Sequence, residues 1–199
     1  MLIVVLKDNM VSGKYIICAT THISWYGKKQ SVQAIKACLI TQKLNDIRNT
    51  LAQSNEDISV DDISVILAGD FNAQPETQVV QLMKNNETAK TEAVKTDCAG
   101  DSLANDPLLE YYSKYFYNPL KLCSSYEDVL GCEPCVTNST AGYTGCLDYI
   151  FHSHDTLYTV SVFDIDTAMS SLYSSSGGPT EEFASDHLPL VAVYEYFSK

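Results

Sequence analysis

Acidic, amide and imidazole side chains sit at the ends of apolar runs in four places along this chain. His22 follows the run Tyr15–Ala19, Asp70 and Asn72 follow Ile63–Ala68, Asp148 lies at the start of Leu147–Phe151, and Asp186-His187 precede Leu188–Tyr196. Gathered together, they are three carboxylates, one amide and two imidazoles, with no thiol among them. Oxygen-rich donors of this kind suit a hard cation such as Mg²⁺ or Mn²⁺ better than zinc. Mg²⁺ takes one or two carboxylates, keeps waters, and completes its shell with substrate phosphate. The chemistry favoured is hydrolytic phosphoryl transfer, in which the ion offsets phosphate charge, a carboxylate orients water, and a histidine stabilises or protonates the leaving group. Singly, each residue has a plainer role. An aspartate after a strand is commonly a turn residue, His22 a hydrogen-bonded surface histidine, and Tyr143 a packing aromatic.

Their convergence depends on the elements between them. Leu2–Leu6 and Tyr15–Ala19 flank a turn-rich Lys7–Lys14 segment and predict a hairpin. From about Gln30 the apolar period lengthens: Val32, Ile35, Leu39, Leu44, Ile47 and Leu51 predict a long amphipathic helix. Ile63–Ala68 predicts a buried strand. Pro75 suits the first turn of a helix with Val79, Val80 and Met83 inward. Residues 85–105 are polar and irregular, and Asp106-Pro107 predicts the start of a short aromatic helix through Tyr117. Leu147–Phe151, Leu157–Phe163 and Leu188–Tyr196 predict strands, and the Ser/Gly-rich 164–185 predicts a mobile loop. Strands alternating with a few helices give an α/β or α+β layered class. Where strands run antiparallel, the end of one lies beside the start of the next, so the four polar tips are expected at one sheet edge.

With 199 residues the chain has the length of one ordinary domain. A net charge of −12 argues against a broad basic surface for tracking duplex DNA. No stretch has the length of a membrane span, and MLIVVLKDN lacks the flanks of a signal peptide. Seven cysteines without such a signal predict reduced thiols in an intracellular compartment, cytoplasm or mitochondrion. The sequons at Asn86 and Asn138 are then expected to be unused. Cys132-Glu133-Pro134-Cys135, with Cys123 and Cys146 nearby, is a single CxxC without a matching pair, which is a poor zinc signature. The oligomeric state has no signature here.

Four local sequences resemble the endonuclease/exonuclease/phosphatase superfamily, in its deadenylase-like branch. They are Thr21-His22-Ile23-Ser24-Trp25; Gly69-Asp70-Phe71-Asn72 with Pro75; Gly145-Cys146-Leu147-Asp148-Tyr149-Ile150-Phe151; and Ser185-Asp186-His187. Glu133-Pro134, Thr137-Asn138 and Gly142 resemble members that degrade 2′,5′-oligoadenylate and poly(A). The resemblance implies part of a four-layer α/β/β/α sandwich with two stacked mixed sheets. It implies a Mg²⁺- or Mn²⁺-dependent phosphodiesterase or 3′-exonuclease acting on adenylate-containing RNA or oligoadenylate. Asp186 would then be a metal ligand and Asp70 would orient water or pass a proton. Asn72 and His22 would hold the phosphate, and His187, buttressed by Asp148, would face it. Trp25, Asn138 and Tyr143 would contact substrate, with Tyr143 stacking on adenine. Departures from the family pattern occur at Gly27, Gln33, Lys36, Val136 and Ser139. The family's N-terminal asparagine and its Gln-Glu metal motif are not found in these residues. The expectation is therefore that 1–199 forms the C-terminal portion of one such domain, with an apolar sheet face uncovered and little turnover alone. Two further readings share these motifs: a degenerate homologue serving as a binding module, and a same-fold phosphatase on a small phosphorylated substrate.

Overall fold

A computed structural model describes residues 1–25, 30–84, 118–168, 177–181 and 183–197. In chain order the strands are β1 (Leu2–Lys7), β2 (Tyr15–His22), β3 (Ile63–Asp70), β4 (Leu122–Ser124), β5 (Asn138–Thr140), β6 (Tyr143–Gly145), β7 (Asp148–Ser153), β8 (Leu157–Val162) and β9 (Ala192–Tyr196). The helices are α1 (Gln30–Gln53), α2 (Gln78–Lys84), α3 (Ser125–Leu130) and α4 (Ile165–Ala168). Five strands form one mixed sheet in the order β1-β2-β3-β7-β4, and β5-β6 and β8-β9 form two-stranded ribbons. The α/β class expected from the alternation of periods is the class observed. The aromatic helix expected through Tyr117 and the irregular 85–105 lie outside the described residues.

The hairpin forms where expected, β1 antiparallel to β2. Its turn is held by Asp8, whose Oδ1 accepts from the N–H groups of Met10 (2.7 Å) and Val11 (3.0 Å). β3 then joins β2 in parallel, which requires a crossover, and α1 is that crossover. Buried Arg48 on α1 fixes the start of β3, its Nε donating to the Ile63 carbonyl at 2.9 Å. The apolar pattern misplaced part of the inner face of α1. Leu39 is 53% exposed, whereas Gln33, Thr41 and Arg48 are buried beside Ala37, Ile40 and Leu44. Polar groups that bond the neighbouring backbone can occupy inner positions, and a hydrophobic period cannot register them.

β3 and β7 are the central strands, and both are buried along most of their length. That is why they appear as continuous rather than alternating apolar runs. One face of the sheet carries the core: Ile17, Val65, Leu67, Tyr149 and Phe151 meet Ala34, Ala37, Val79, Val80 and Met83. Phe71 lies edge-on to Tyr149 (5.8 Å) and Phe151 (5.2 Å) within it. Burying a side chain of this size contributes roughly 1.5–3 kcal/mol. The opposite face is more open, and Leu2, Val4 and Leu6 of the edge strand β1 are exposed there. On the β8-β9 ribbon, Val160 and Val193 are also exposed.

Two boundaries differ from the sequence expectation. α2 begins at Gln78, so Pro75 lies in the preceding turn, although Val79, Val80 and Met83 are buried as expected. The last strand begins at Ala192, not Leu188. The Leu188 N–H is drawn instead to the Thr137 carbonyl at 2.8 Å, and Pro189 has no N–H to give a ladder. Within 164–185, the short helix α4 replaces part of the expected loop, because Asp164 caps it: Oδ1 accepts from the Thr167 N–H at 3.2 Å.

Candidate active site

β2 and β3 run parallel and β7 antiparallel to both, so the ends of the first two lie beside the start of the third. His22 pairs with Asp70 in register, and Asp70 pairs with Asp148. Three of the four polar tips are thus cross-strand neighbours at one sheet edge. The fourth arrives through an isolated bridge between Asn138 and His187.

The tip of β3 is tightly built. Gly69 has φ +146°, and a Cβ there would lie 1.9 Å from the Thr21 carbonyl oxygen. Only glycine lets β2 and β3 approach so closely. Phe71 is fully buried, which turns the flanking Asp70 and Asn72 outward. Asn72 adopts φ 48°, a left-handed conformation that asparagine tolerates better than most residues. Its N–H donates to Asp70 Oδ1 at 2.7 Å, and its Nδ2 lies 3.1 Å from both Asp70 Oδ2 and His22 Nε2. Gln33 donates to the Asn72 carbonyl at 2.8 Å. His22 Nε2 is 3.3 Å from Asp70 Oδ2, with the imidazole largely exposed.

Asp148 accepts from two sides. His187 Nδ1 lies 2.9 Å from its Oδ2, and Thr137 Oγ1 donates to the same oxygen at 2.7 Å. Thr137 Oγ1 in turn accepts from the N–H groups of Leu147 (2.9 Å) and Asp148 (3.0 Å). This fixes the carboxylate and aims the remaining His187 nitrogen away from it. Burial is the largest influence on Asp70. The Asn72 N–H opposes it, Asp148 adds to it, His187 and His22 oppose it, and the net effect is upward from the ordinary carboxylate value. For His187, burial lowers the affinity for a proton, but the hydrogen bond and charge of Asp148, helped by Asp70 and Asp186, outweigh it and raise the pKa.

Asp70, Asp148 and His187 each bring a ligand atom within 4.8 Å of the others. Asp186 is not in that group. Its Oδ2 lies 3.4 Å from Asn138 Nδ2. Beside the cluster opens a cavity of about 620 Å³ whose lining includes Trp25, Gln33, Asn72, Asn138, Thr140 and Tyr143. Tyr143 is held over it by Gln74, whose Nε2 donates to the phenol oxygen at 3.2 Å. All nine residues singled out in the sequence therefore lie at this edge or in the wall of its cavity. Sequence reasoning gave no role to Thr137, and it took Gln33 only as a departure from a pattern. The partners of both are backbone or carboxylate groups distant in sequence, so spacing carried no signal. The Cys132–Cys135 pair is exposed and belongs to no metal-capable cluster among the described residues.

The profile of the Endonuclease/Exonuclease/phosphatase family matches residues 41–187. The CCR4-Not complex 3′-5′-exoribonuclease subunit Ccr4 of Candida albicans is 28% identical, over 95% of this chain and 24% of its own length. The 2′,5′-phosphodiesterase 12 of Bos taurus is 26% identical, over 94% of this chain and 27% of its own. Among solved structures, the 2′,3′-cyclic phosphatase ANGEL2 superposes with a TM-score of 0.66 at 18% identity, covering 96% of this chain and 59% of that one. The human Nocturnin catalytic domain superposes with a TM-score of 0.54 at 23% identity, covering 94% and 49%. These superpositions show a shared fold. The chain spans about a quarter of the length of the curated relatives it matches.

Proposed function

The chain belongs to the endonuclease/exonuclease/phosphatase family, and from that premise we propose that it is a Mg²⁺- or Mn²⁺-dependent phosphodiesterase acting on adenylate-containing RNA or 2′,5′-oligoadenylate. One observation carries the reading: Asp148 is at once the cross-strand partner of Asp70 and the hydrogen-bond partner of His187. A water-activating carboxylate and a carboxylate-oriented imidazole thereby face one edge.

The donor set fits a hard cation. His187 Nδ1 is engaged by Asp148, so the carboxylates of Asp70 and Asp148 would hold the ion, with Asp186, next to His187 in the chain, as a further ligand. When bound, the cation would offset the charge of the phosphate and of the departing oxygen. Asp70 would accept a proton from the attacking water. The Asn72 amide donates to the Ile23 carbonyl (2.9 Å) and the Asp70 carboxylate (3.1 Å), and on substrate binding it would exchange one of these bonds for a non-bridging phosphate oxygen. His22, exposed beside it, donates to the same group. His187 gives its Nδ1 proton to Asp148 and presents Nε2–H to the phosphate, and the raised pKa keeps it cationic to higher pH. Trp25 and Tyr143 supply apolar walls for a base, and stacking on such a ring is worth roughly 1–3 kcal/mol. An intracellular site, cytoplasm or mitochondrion, goes with the free thiols.

The test is the initial rate of hydrolysis of 2′,5′- and 3′,5′-linked oligoadenylates against oligouridylates, with Mg²⁺ or Mn²⁺. Adenylates should be cleaved faster, Asp70→Asn should abolish cleavage, and Tyr143→Ala should erode the preference for adenine. Equal rates on both bases would remove the adenylate part of the reading. The exposed apolar face of β1 and the β8-β9 ribbon favours a second reading, a binding module of this fold. Metal-dependent binding of oligoadenylate with no product under any condition would select it.

A further inference from the structure

A second cluster of ligating side chains lies at the far end of β7, away from the candidate active site. Cys123 on β4 pairs in register with His152 on β7. Asp128 projects from α3, and His154 follows just past the end of β7. Cys123 Sγ is 3.2 Å from His152 Nε2, 3.2 Å from Asp128 Oδ2 and 3.6 Å from His154 Nδ1. His152 Nε2 is 3.4 Å from Asp128 Oδ2. Tetrahedral zinc bonds of about 2.0–2.3 Å set neighbouring ligand atoms roughly 3.3–3.6 Å apart. The separations among Cys123, Asp128 and His152 match that edge length, and their ligand atoms lie within 4.8 Å of one another; His154 approaches Cys123 but is not in that group.

The imidazole of His152 is also prepared for ligation. Its side chain is fully buried. On its far side, Nδ1 lies 3.2 Å from Ser125 Oγ, which lies 2.5 Å from the Tyr194 hydroxyl. A proton held on Nδ1 by this chain leaves Nε2 free to ligate; Cys123 Sγ, 3.2 Å from Nε2 and 3.7 Å from Nδ1, lies beside the ring, and a turn of the thiol would bring it opposite the Nε2 lone pair across an ion. A partner on the other ring nitrogen is what orients metal-bound histidines. The donors are one sulfur, two imidazoles and one carboxylate, a set that selects zinc over magnesium.

We propose that Cys123, Asp128, His152 and His154 form a zinc site, with the first three enclosing the ion and His154 closing the fourth position from the surface. On binding, the Cys123 thiol loses its proton to solvent, and the sulfur lone pair so exposed forms the bond to the metal. The residues are not those of the CxxC pair.

The test uses the full chain stripped with EDTA and titrated with Co²⁺ in excess Mg²⁺, which occupies the oxygen-rich edge. One equivalent should produce a thiolate-to-cobalt charge-transfer band with tetrahedral ligand-field bands, and Zn²⁺ should bleach both. Cys123→Ser should remove the charge-transfer band. His154→Ala, at an exposed position, should weaken Co²⁺ affinity at least tenfold while leaving the fold intact. Asp148→Asn should change neither. The proposal is overturned by the absence of a charge-transfer band, or by a band that survives Cys123→Ser and disappears with Cys132→Ser. A band lost with Asp148→Asn, or an unchanged affinity in His154→Ala, overturns it equally.

Discussion

Strand β7 begins at Asp148 and reaches His152 four residues later. These side chains share one face of the sheet about 13 Å apart, at roughly 3.3 Å per residue. At each end an imidazole meets a carboxylate, yet the two pairs behave oppositely. His187 is half-exposed and bonded to an Asp148 fixed by Thr137, so its pKa is raised. His152 is fully buried, and burial lowers its pKa to about 4 in spite of Asp128, with His154 adding to the lowering. A carboxylate neighbour does not by itself make a histidine cationic. The balance between desolvation and hydrogen bonding decides. One end therefore presents to solvent carboxylate oxygens and an imidazole that holds its proton more tightly. The other offers a neutral imidazole and a thiol in a closed setting.

Four experiments would break or sharpen that contrast. The largest effect is expected at the open end, where Asp70→Asn should lower turnover about 100- to 10,000-fold. Initial rates at saturating Mg²⁺ measure it, and a fall below tenfold would take Asp70 out of the proton-transfer role. Next, Gly69→Ala should destabilise the protein by at least about 1–3 kcal/mol, because its Cβ would meet the Thr21 carbonyl. A lowered urea midpoint shows this, and an unchanged midpoint would mean that β2 and β3 can separate without cost.

The third uses pH on metal-free protein. His187 has a raised folded-state pKa, so its contribution is complete below about 6.5 and is lost as pH rises through the raised value. His152 has a lowered one. Its contribution is present above about 6.5 and is lost as pH falls toward about 4. Unfolding midpoints of His187→Gln and His152→Gln across this range should flatten opposite limbs of the profile, and flattening of the same limb by both would dissolve the contrast. The smallest effect is a null one. Cys123→Ser should leave oligoadenylate turnover within twofold, since the thiol lies at the other end of β7. A large loss would mean that the two ends are coupled.

How much of this was legible beforehand varies with how local the cause is. Asp70 and Asn72 stood out because a strand, a glycine and a buried Phe71 fix their direction within a few residues. Asp148 and His187 were found at the edges of apolar runs for the same reason. Thr137 was noted only as part of a resembling dipeptide; its role escaped because it is a bond to a carboxylate eleven residues on, at no helical or strand period. Gln33 escaped because it is a buried polar residue on a helix judged by its apolar stripe. In the sequence only the single Cys132–Cys135 CxxC, with Cys123 and Cys146 nearby, drew attention as a thiol motif, and it was a poor zinc signature. The structure instead gathers Cys123, Asp128 and His152, which a cross-strand register and one helical turn bring together.

The sequence by itself determined the α/β class, the central strands and the polar tips, because period, β-branched runs and strand-end residue types act over short distances. Only the tertiary structure decided that β2 and β3 run parallel with β7 antiparallel beside them, which makes His22, Asp70 and Asp148 neighbours. It alone also decided which histidine holds its proton more tightly and which gives it up more readily. Burial and hydrogen-bond partners come from segments far apart in the chain, and no local pattern encodes them.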